Sequence, residues 1–257
     1  MPAYLEAIIR AHRAADAAIG PADQVIDRAL QCEGGPRNFR QALSGKGLSL
    51  IAEVKRRSPS EGALNQGLDP VSLATSYVEG GADCISVLTD EEFFGGSAAD
   101  LAAVRAAIAA PILRKDFAVS LRDVAETRLM GADAVLLIVA ALSDEELASM
   151  HALALRLGLA ALVEVHDVDE LARARSIDGV ALIGVNQRNL KTFEMTDAAS
   201  RLRKLIPSHV ISVCESGIAT AEDARQMHNL GYDGVLVGSS LVRSGNPAEM
   251  CRAIKGS

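Results

Sequence analysis

Short apolar runs rich in Val, Ile and Leu recur along the chain, each followed by a polar loop and a longer stretch with helical periodicity. Eight are legible: LSLIAEV from Leu48, CISVL from Cys84, PILRKDF from Pro111, AVLLIV from Ala134, AALVEV from Ala160, ALIGVN from Ala181, VISVCE from Val210 and GVLVGS from Gly234. Near-continuous apolar strands suit a parallel sheet covered by helices. The helical stretches between them include DPVSLATSYVEGG, SLRDVAETRLMG, SDEELASMHALALRLG and TAEDARQMHNLG. Several open on Ser, Thr or Asp and close on Gly, the residues that start and stop helices.

A weak internal repeat sharpens the pattern. Segments beginning at Gly81, Gly131, Gly179 and Gly231 (GADCISVLT, GADAVLLIV, GVALIGVN, GYDGVLVGSS) start 50, 48 and 52 residues apart, about two βα units each. They predict the even-numbered strands. Regular alternation reaching eight strands predicts a closed (β/α)8 barrel. A doubly wound open sheet is the competing architecture, but no Gly-x-Gly-x-x-Gly fingerprint follows the first strand. Residues 1–45 do not fit a βα unit. They predict helices (YLEAIIRAHRAADAAI, PADQVIDRAL, NFRQAL) forming an N-terminal extension to one barrel domain spanning residues 1–257.

Composition fits a barrel and narrows its partners. The 257 residues are 49% hydrophobic and 3% aromatic, so aliphatic side chains must fill the core. A formal charge of −7 provides no basic footprint for nucleic acid. No apolar run approaches the roughly 20 residues that span a bilayer, and the first twenty residues lack the apolar core of a signal peptide. Cys32, Cys84, Cys214 and Cys251 have neither disulfide-framework nor metal-ligand spacing. A cytoplasmic protein with reduced thiols is expected, with Cys214 packed in the core.

Barrel chemistry collects at the C-terminal ends of the strands. Those positions hold Glu53 and Lys55 on strand one, Lys115 beside Leu113 and Phe117 on strand three, and Glu164 on strand five. Asn186 and Arg188 end strand six, and Glu215 and Ser216 end strand seven. A single Lys or Glu at a strand end is commonly a solvated rim residue, and Glu53 with Lys55 alone could be an exposed ion pair. Five strands ending this way point instead to a site, because charges facing a barrel interior must pair or meet a polar ligand. Separately, ESGIATAED and VGSSLV place Gly and small polar residues after strands seven and eight, where backbone N–H groups can approach an anion. A phosphate is therefore the expected ligand group. His166 shares the strand face of Glu164 and is read as a rim histidine rather than a proton shuttle. His12, His151, His209 and His228 show no ligand spacing, so no metal is assigned.

The blocks IAEVKRRSPSEG, VLTDEEFFGGS, PILRKDF, ADAVLLIVAAL, LVEVHDVDEL, IGVNQRNLKTFE, VCESGI and VLVGSSLV, in this order over residues 48–243, resemble the indole-3-glycerol phosphate synthase family. The resemblance implies a carbon–carbon lyase of tryptophan biosynthesis. It would close 1-(2-carboxyphenylamino)-1-deoxyribulose 5-phosphate to indole-3-glycerol phosphate, with loss of CO2 and water and no metal or organic cofactor. By similarity, Lys115 donates to the carbonyl, Glu53 orients the lysines and the substrate, and Lys55 and Glu164 serve the dehydration in an order the resemblance leaves open. Asn186 and Arg188 would lie near the substrate's carboxylate and hydroxyls, with Glu215 a further active-site carboxylate. Ser58, Gly217, Gly238 and Ser239 would cradle the phosphate, Ser216 would be a further substrate-binding residue, and Phe94, Phe117 and Leu136 would wall the anthranilate ring.

Two departures are visible. Many relatives carry lysine where this chain has Glu61 and Glu92, reversing charge near a loop expected to close over an anion. The chain has no room for the second barrel fused in some bacterial relatives and is expected to be monofunctional. Its expected partner is a phosphorylated small molecule, with no nucleic acid and no membrane. It is expected to be monomeric or loosely associated with other tryptophan-pathway enzymes. Two other functions remain open from the residues alone: a sister phosphosugar isomerase of amino-acid biosynthesis, and a catalytically silent phosphosugar-binding subunit.

Overall fold

In a computed structural model of the chain, which describes residues 3–58, 62–189 and 194–256, eight parallel strands close into a barrel in sequence order. They are β1 (Ser49–Val54), β2 (Cys84–Leu88), β3 (Ile112–Lys115), β4 (Ala134–Ile138), β5 (Ala160–Val165), β6 (Leu182–Asn186), β7 (Ile211–Glu215) and β8 (Gly234–Val237). β8 returns to β1 with Leu236 opposite Ile51, which closes the sheet and leaves no barrel edge. The doubly wound alternative is excluded. Each strand matches its predicted apolar run to within two residues at either end.

The repeat has a physical cause at the N-terminal end of the barrel. Gly81, Gly131, Gly179 and Gly231 all adopt left-handed backbone as the preceding segment ends, with φ between 73° and 92°. In three of the four segments an aspartate two residues on then clamps a neighbouring strand. Asp83 accepts from Leu50 N–H at 2.7 Å, Asp133 from Ile112 N–H at 2.8 Å and Asp233 from Ser212 N–H at 2.8 Å. These aspartates satisfy strand-opening amides that lack a ladder partner. They belong to stability, at the end opposite the chemistry.

Helix starts follow the sequence signals. Ser120 with Asp123, Ser143 with Glu146, and Thr220 with Asp223 each form a reciprocal capping box. The N-terminal segment forms α1 (Ala3–Ile19), α2 (Asp23–Leu30) and α3 (Phe39–Ala42). It runs along the barrel from one end to the other. α1 lies by the loops that follow β2 and β4: Tyr4 meets Phe93 edge-on, His12 Nε2 is 2.9 Å from Asp90 Oδ2, and Arg13 pairs with Glu146. Arg37 then reaches Asp133 at the opposite end. The extension therefore starts over the C-terminal face, which sequence could not decide.

Candidate functional site

Side chains on one strand face repeat every second residue. Ile51, Leu113, Leu162 and Val213 are completely buried in the barrel interior. Two residues further along the same strands stand Glu53, Lys115, Glu164 and Glu215, at the floor of a cavity of about 360 Å³. All fifteen sequence-predicted site residues line this one cavity: Glu53, Lys55, Ser58, Phe94, Lys115, Phe117, Leu136, Glu164, Asn186, Arg188, Glu215, Ser216, Gly217, Gly238 and Ser239.

Its polar floor is an ordered charge network. Lys115 Nζ donates to Glu164 Oε2 at 3.3 Å and lies 3.7 Å from Glu215 Oε2. Lys55 Nζ lies 2.7 Å from Glu53 Oε1. Asn186 donates from Nδ2 to Glu164 Oε1 at 3.2 Å, while its Oδ1 accepts from Ser216 Oγ at 2.8 Å and from Arg188 N–H at 3.0 Å. Burial alone would push the Lys115 ammonium pKa down, but the carboxylates of Glu164, Glu215 and Glu53 outweigh it and hold the lysine charged. Burial likewise opposes ionisation of Glu164, and Lys115, His166 and Asn186 together overcome it, holding Glu164 well below the usual carboxylate range. Glu215 goes the other way: burial and the neighbouring Glu164 charge raise its pKa well above normal despite Lys115. Two buried carboxyls, shifted in opposite directions, thus flank one ammonium.

Two glycines make room for this network. A Cβ on Gly184 would collide with the Glu215 carboxyl, and one on Gly238 with the Glu53 carboxyl. Gly238, expected as part of a phosphate cradle, therefore also clears space for the Glu53–Lys55 pair. At the end of β7, Ser216 has φ 66° and Gly217 φ 76°, and Ser216 is the one non-glycine with positive φ among the described residues. Two successive left-handed residues turn the chain sharply under the cavity wall. The opposite wall is apolar, with Phe94 and Phe117 ring centroids 5.9 Å apart and Leu136 below them.

Several functional neighbours were missed or misread from sequence. Asp116 and Arg243 also line the cavity. Arg56 and Arg57, unassigned from sequence apart from a solvated loop edge, are clasps: Arg56 pairs with Asp100, and Arg57 donates to the carbonyls of Glu91 and Glu92, beside Phe94. Glu92 thus faces solvent at the edge of the aromatic wall, whereas Glu61 lies outside the described residues. His166 is not a rim residue. Its side chain is 10% exposed and lies behind Glu164, outside the cavity lining. Nothing in the local sequence separates such a histidine from a rim one.

His12, Asp90 and Asp116 are the one group among the described residues whose ligand atoms converge closely enough to suggest a metal. The oxygens turned to His12 are Asp90 Oδ2, at 2.9 Å, and Asp116 Oδ1, at 4.0 Å, and the latter also accepts from Phe117 N–H; the other two oxygens hold the loops. Asp90 Oδ1 caps the amides of Phe93 and Phe94, and Asp116 Oδ2 accepts from Thr89 and Arg114. His12 also lies 5.9 Å from the Phe117 ring, so the group ties α1 to the aromatic wall.

The sequence profile described as indole-3-glycerol phosphate synthase matches residues 6–254. The chain belongs to the indole-3-glycerol phosphate synthase family. A relative of that name from Nocardioides sp. is 51% identical over 222 residues, covering 86% of this chain and 85% of its own. Another, from Exiguobacterium sibiricum, is 44% identical over 234 residues, covering 90% of each chain. Among solved structures, 3-hexulose-6-phosphate synthase from Salmonella typhimurium superposes with a TM-score of 0.65 at 19% identity, over 81% of this chain and 97% of its own. Thiamine phosphate pyrophosphorylase from Pyrococcus furiosus gives 0.61 at 16% identity, over 85% and 96%. At those identities the likeness is one of fold. No helix among the described residues is long and apolar enough to cross a membrane.

Proposed function

We propose that this chain closes 1-(2-carboxyphenylamino)-1-deoxyribulose 5-phosphate to indole-3-glycerol phosphate, releasing CO2 and water. The observation that carries this is Lys115 standing within reach of two buried carboxyls, Glu164 and Glu215, on the floor of a cavity with an aromatic wall on one side and glycine turns on the other. The substrate has matching parts: an aromatic acid, a ketone and a phosphate.

Ring closure forms a bond between the ring carbon bearing the carboxylate and the ketone carbon, and the ketone oxygen must gain a proton. Lys115 is the donor, its ammonium held in place by Glu164 and Glu215. Loss of CO2 restores the aromatic ring. Dehydration then removes the new hydroxyl as water, which needs one group to protonate it and one to accept a proton. Lys55 and Glu164 are that pair. Glu53 orients Lys55, Asn186 orients Glu164, and Arg188 suits the substrate carboxylate, where a guanidinium fork binds well. Phe94, Phe117 and Leu136 stack and enclose the anthranilate ring. Ser58, Ser216, Gly217, Gly238 and Ser239 receive the phosphate end.

Residues 1–257 then act as one barrel domain with residues 1–45 as its extension, working in the cytoplasm as a carboxy-lyase of tryptophan biosynthesis. The chain contains no tryptophan. Indole fluorescence appearing from the non-indolic substrate therefore reports turnover against a low protein background.

A further inference from the structure

Outside the cavity, the residue that the proposed chemistry leaves unused yet touches it most directly is His166. Its ring sits between two carboxylates. Nδ1 is 2.9 Å from Glu170 Oε2, and Nε2 is 3.3 Å from Glu164 Oε1. Glu170 is fixed from two directions. It is the third residue of the helix Val168–Arg175, and its Oε2 also accepts from the His166 backbone N–H at 2.8 Å. At a helix N-terminus a glutamate there would ordinarily turn back to the capping residue. Here Asp167 caps Glu170 N–H, while the Glu170 carboxylate reaches one residue further back, to His166.

We infer that His166, anchored by Glu170, is a positioning residue for Glu164: as an imidazolium it fixes the carboxylate's orientation and keeps it ionised for the reaction.

Protonation follows from the donor count. An ionised carboxylate only accepts hydrogen bonds, so a ring facing one on each nitrogen is best matched when both nitrogens carry protons. Nε2 is closed to solvent and sits off the line of a full hydrogen bond in this structure, so its pull on Glu164 is mainly ionic. The charged groups acting most strongly on the ring are Glu164 and Glu170, with Lys115 reaching it through Glu164. Burial by itself disfavours the imidazolium. The two carboxylates outweigh it and raise the ring's pKa to about 10. The result is a row of alternating charge, Glu170–His166–Glu164–Lys115, that reaches from a surface helix to the cavity floor. Glu164 is held from three strands at once: by His166 on its own strand end, Asn186 on β6 and Lys115 on β3.

The inference rests on the assignment of Glu164 to the reaction, but its first test does not need turnover. Long-range 1H–15N spectra of the wild-type protein should show His166 with both ring nitrogens protonated at pH 8. A neutral His166 ring at that pH overturns the inference, whether or not the protein makes indole. The second test uses [5-13C]glutamate-labelled protein, with the Glu164 signal assigned by its loss in Glu164→Gln. In His166→Gln the Glu164 titration should move up by about one to three units, as expected for losing an opposite charge within 4–6 Å. In Glu170→Gln it should move in the same direction by less. In active protein the acidic limb of kcat should move with it, with KM unchanged within about twofold. A Glu164 titration unmoved in His166→Gln, with only the melting temperature lowered, would reduce His166 to a packing residue. Wild-type protein that makes no indole counts against the proposed function alone.

Discussion

Lys115 Nζ donates to Glu164 Oε2 across two strands that are not neighbours in the sheet, so the barrel interior rather than the sheet edge brings them together. Neither charge is stable there alone. Glu164→Gln keeps the shape and one hydrogen bond but removes the anion that serves as acid–base partner. Its kcat should fall by about 10²–10⁴, the range for losing a general acid or base, with a much smaller change in KM. Steady-state kinetics by indole fluorescence, beside a far-ultraviolet circular dichroism melt, separates this from unfolding.

Glu215 should link stability to pH. Its folded pKa is raised well above the carboxyl reference, first by burial and then by Glu164. The stability it contributes is therefore fully present below its unfolded pKa of about 4.3 and is lost as pH rises through the folded value. Glu215→Gln mimics the protonated form permanently. The variant's melting temperature relative to wild type should rise between pH 4 and pH 9. A difference that shrinks with pH would mean that Glu215 is ionised in the folded protein.

Gly184 should behave as part of the site although it touches no substrate. A Cβ there meets the Glu215 carboxyl and crowds Leu162. Gly184→Ala should displace Glu215 and reduce kcat. In the Glu215→Ala background the same substitution should cost less stability than in wild type, because the colliding carboxyl is gone. A double-mutant cycle measures this, and strict additivity would contradict it.

Much of this was legible in the chain itself, for a physical reason. Parallel strands buried on both faces need unbroken apolar runs, so Lys115 and Glu164 stand out as charges at the ends of such runs. What stayed hidden depends on which side chains the fold brings alongside one another. Gly184 reads as an ordinary weak point in a strand until Glu215 on β7 is seen filling its space. His166 reads as rim until the helix after β5 brings Glu170 back against it. His12 meets Asp90 across 78 residues of sequence, a distance at which spacing rules carry no signal. Arg56 and Arg57 look like loop solvation because their partners, Asp100 and the carbonyls of Glu91 and Glu92, follow the next strand.

The central claim, that Lys115 is the proton donor for ring closure, is tested most directly by mixing 1-(2-carboxyphenylamino)-1-deoxyribulose 5-phosphate with wild-type protein and with Lys115→Ala. Wild-type protein should generate indole fluorescence. The variant, with its fold checked by circular dichroism, should be slower by at least about 10²-fold at saturating substrate. A folded Lys115→Ala variant that forms indole at the wild-type rate would contradict the assignment.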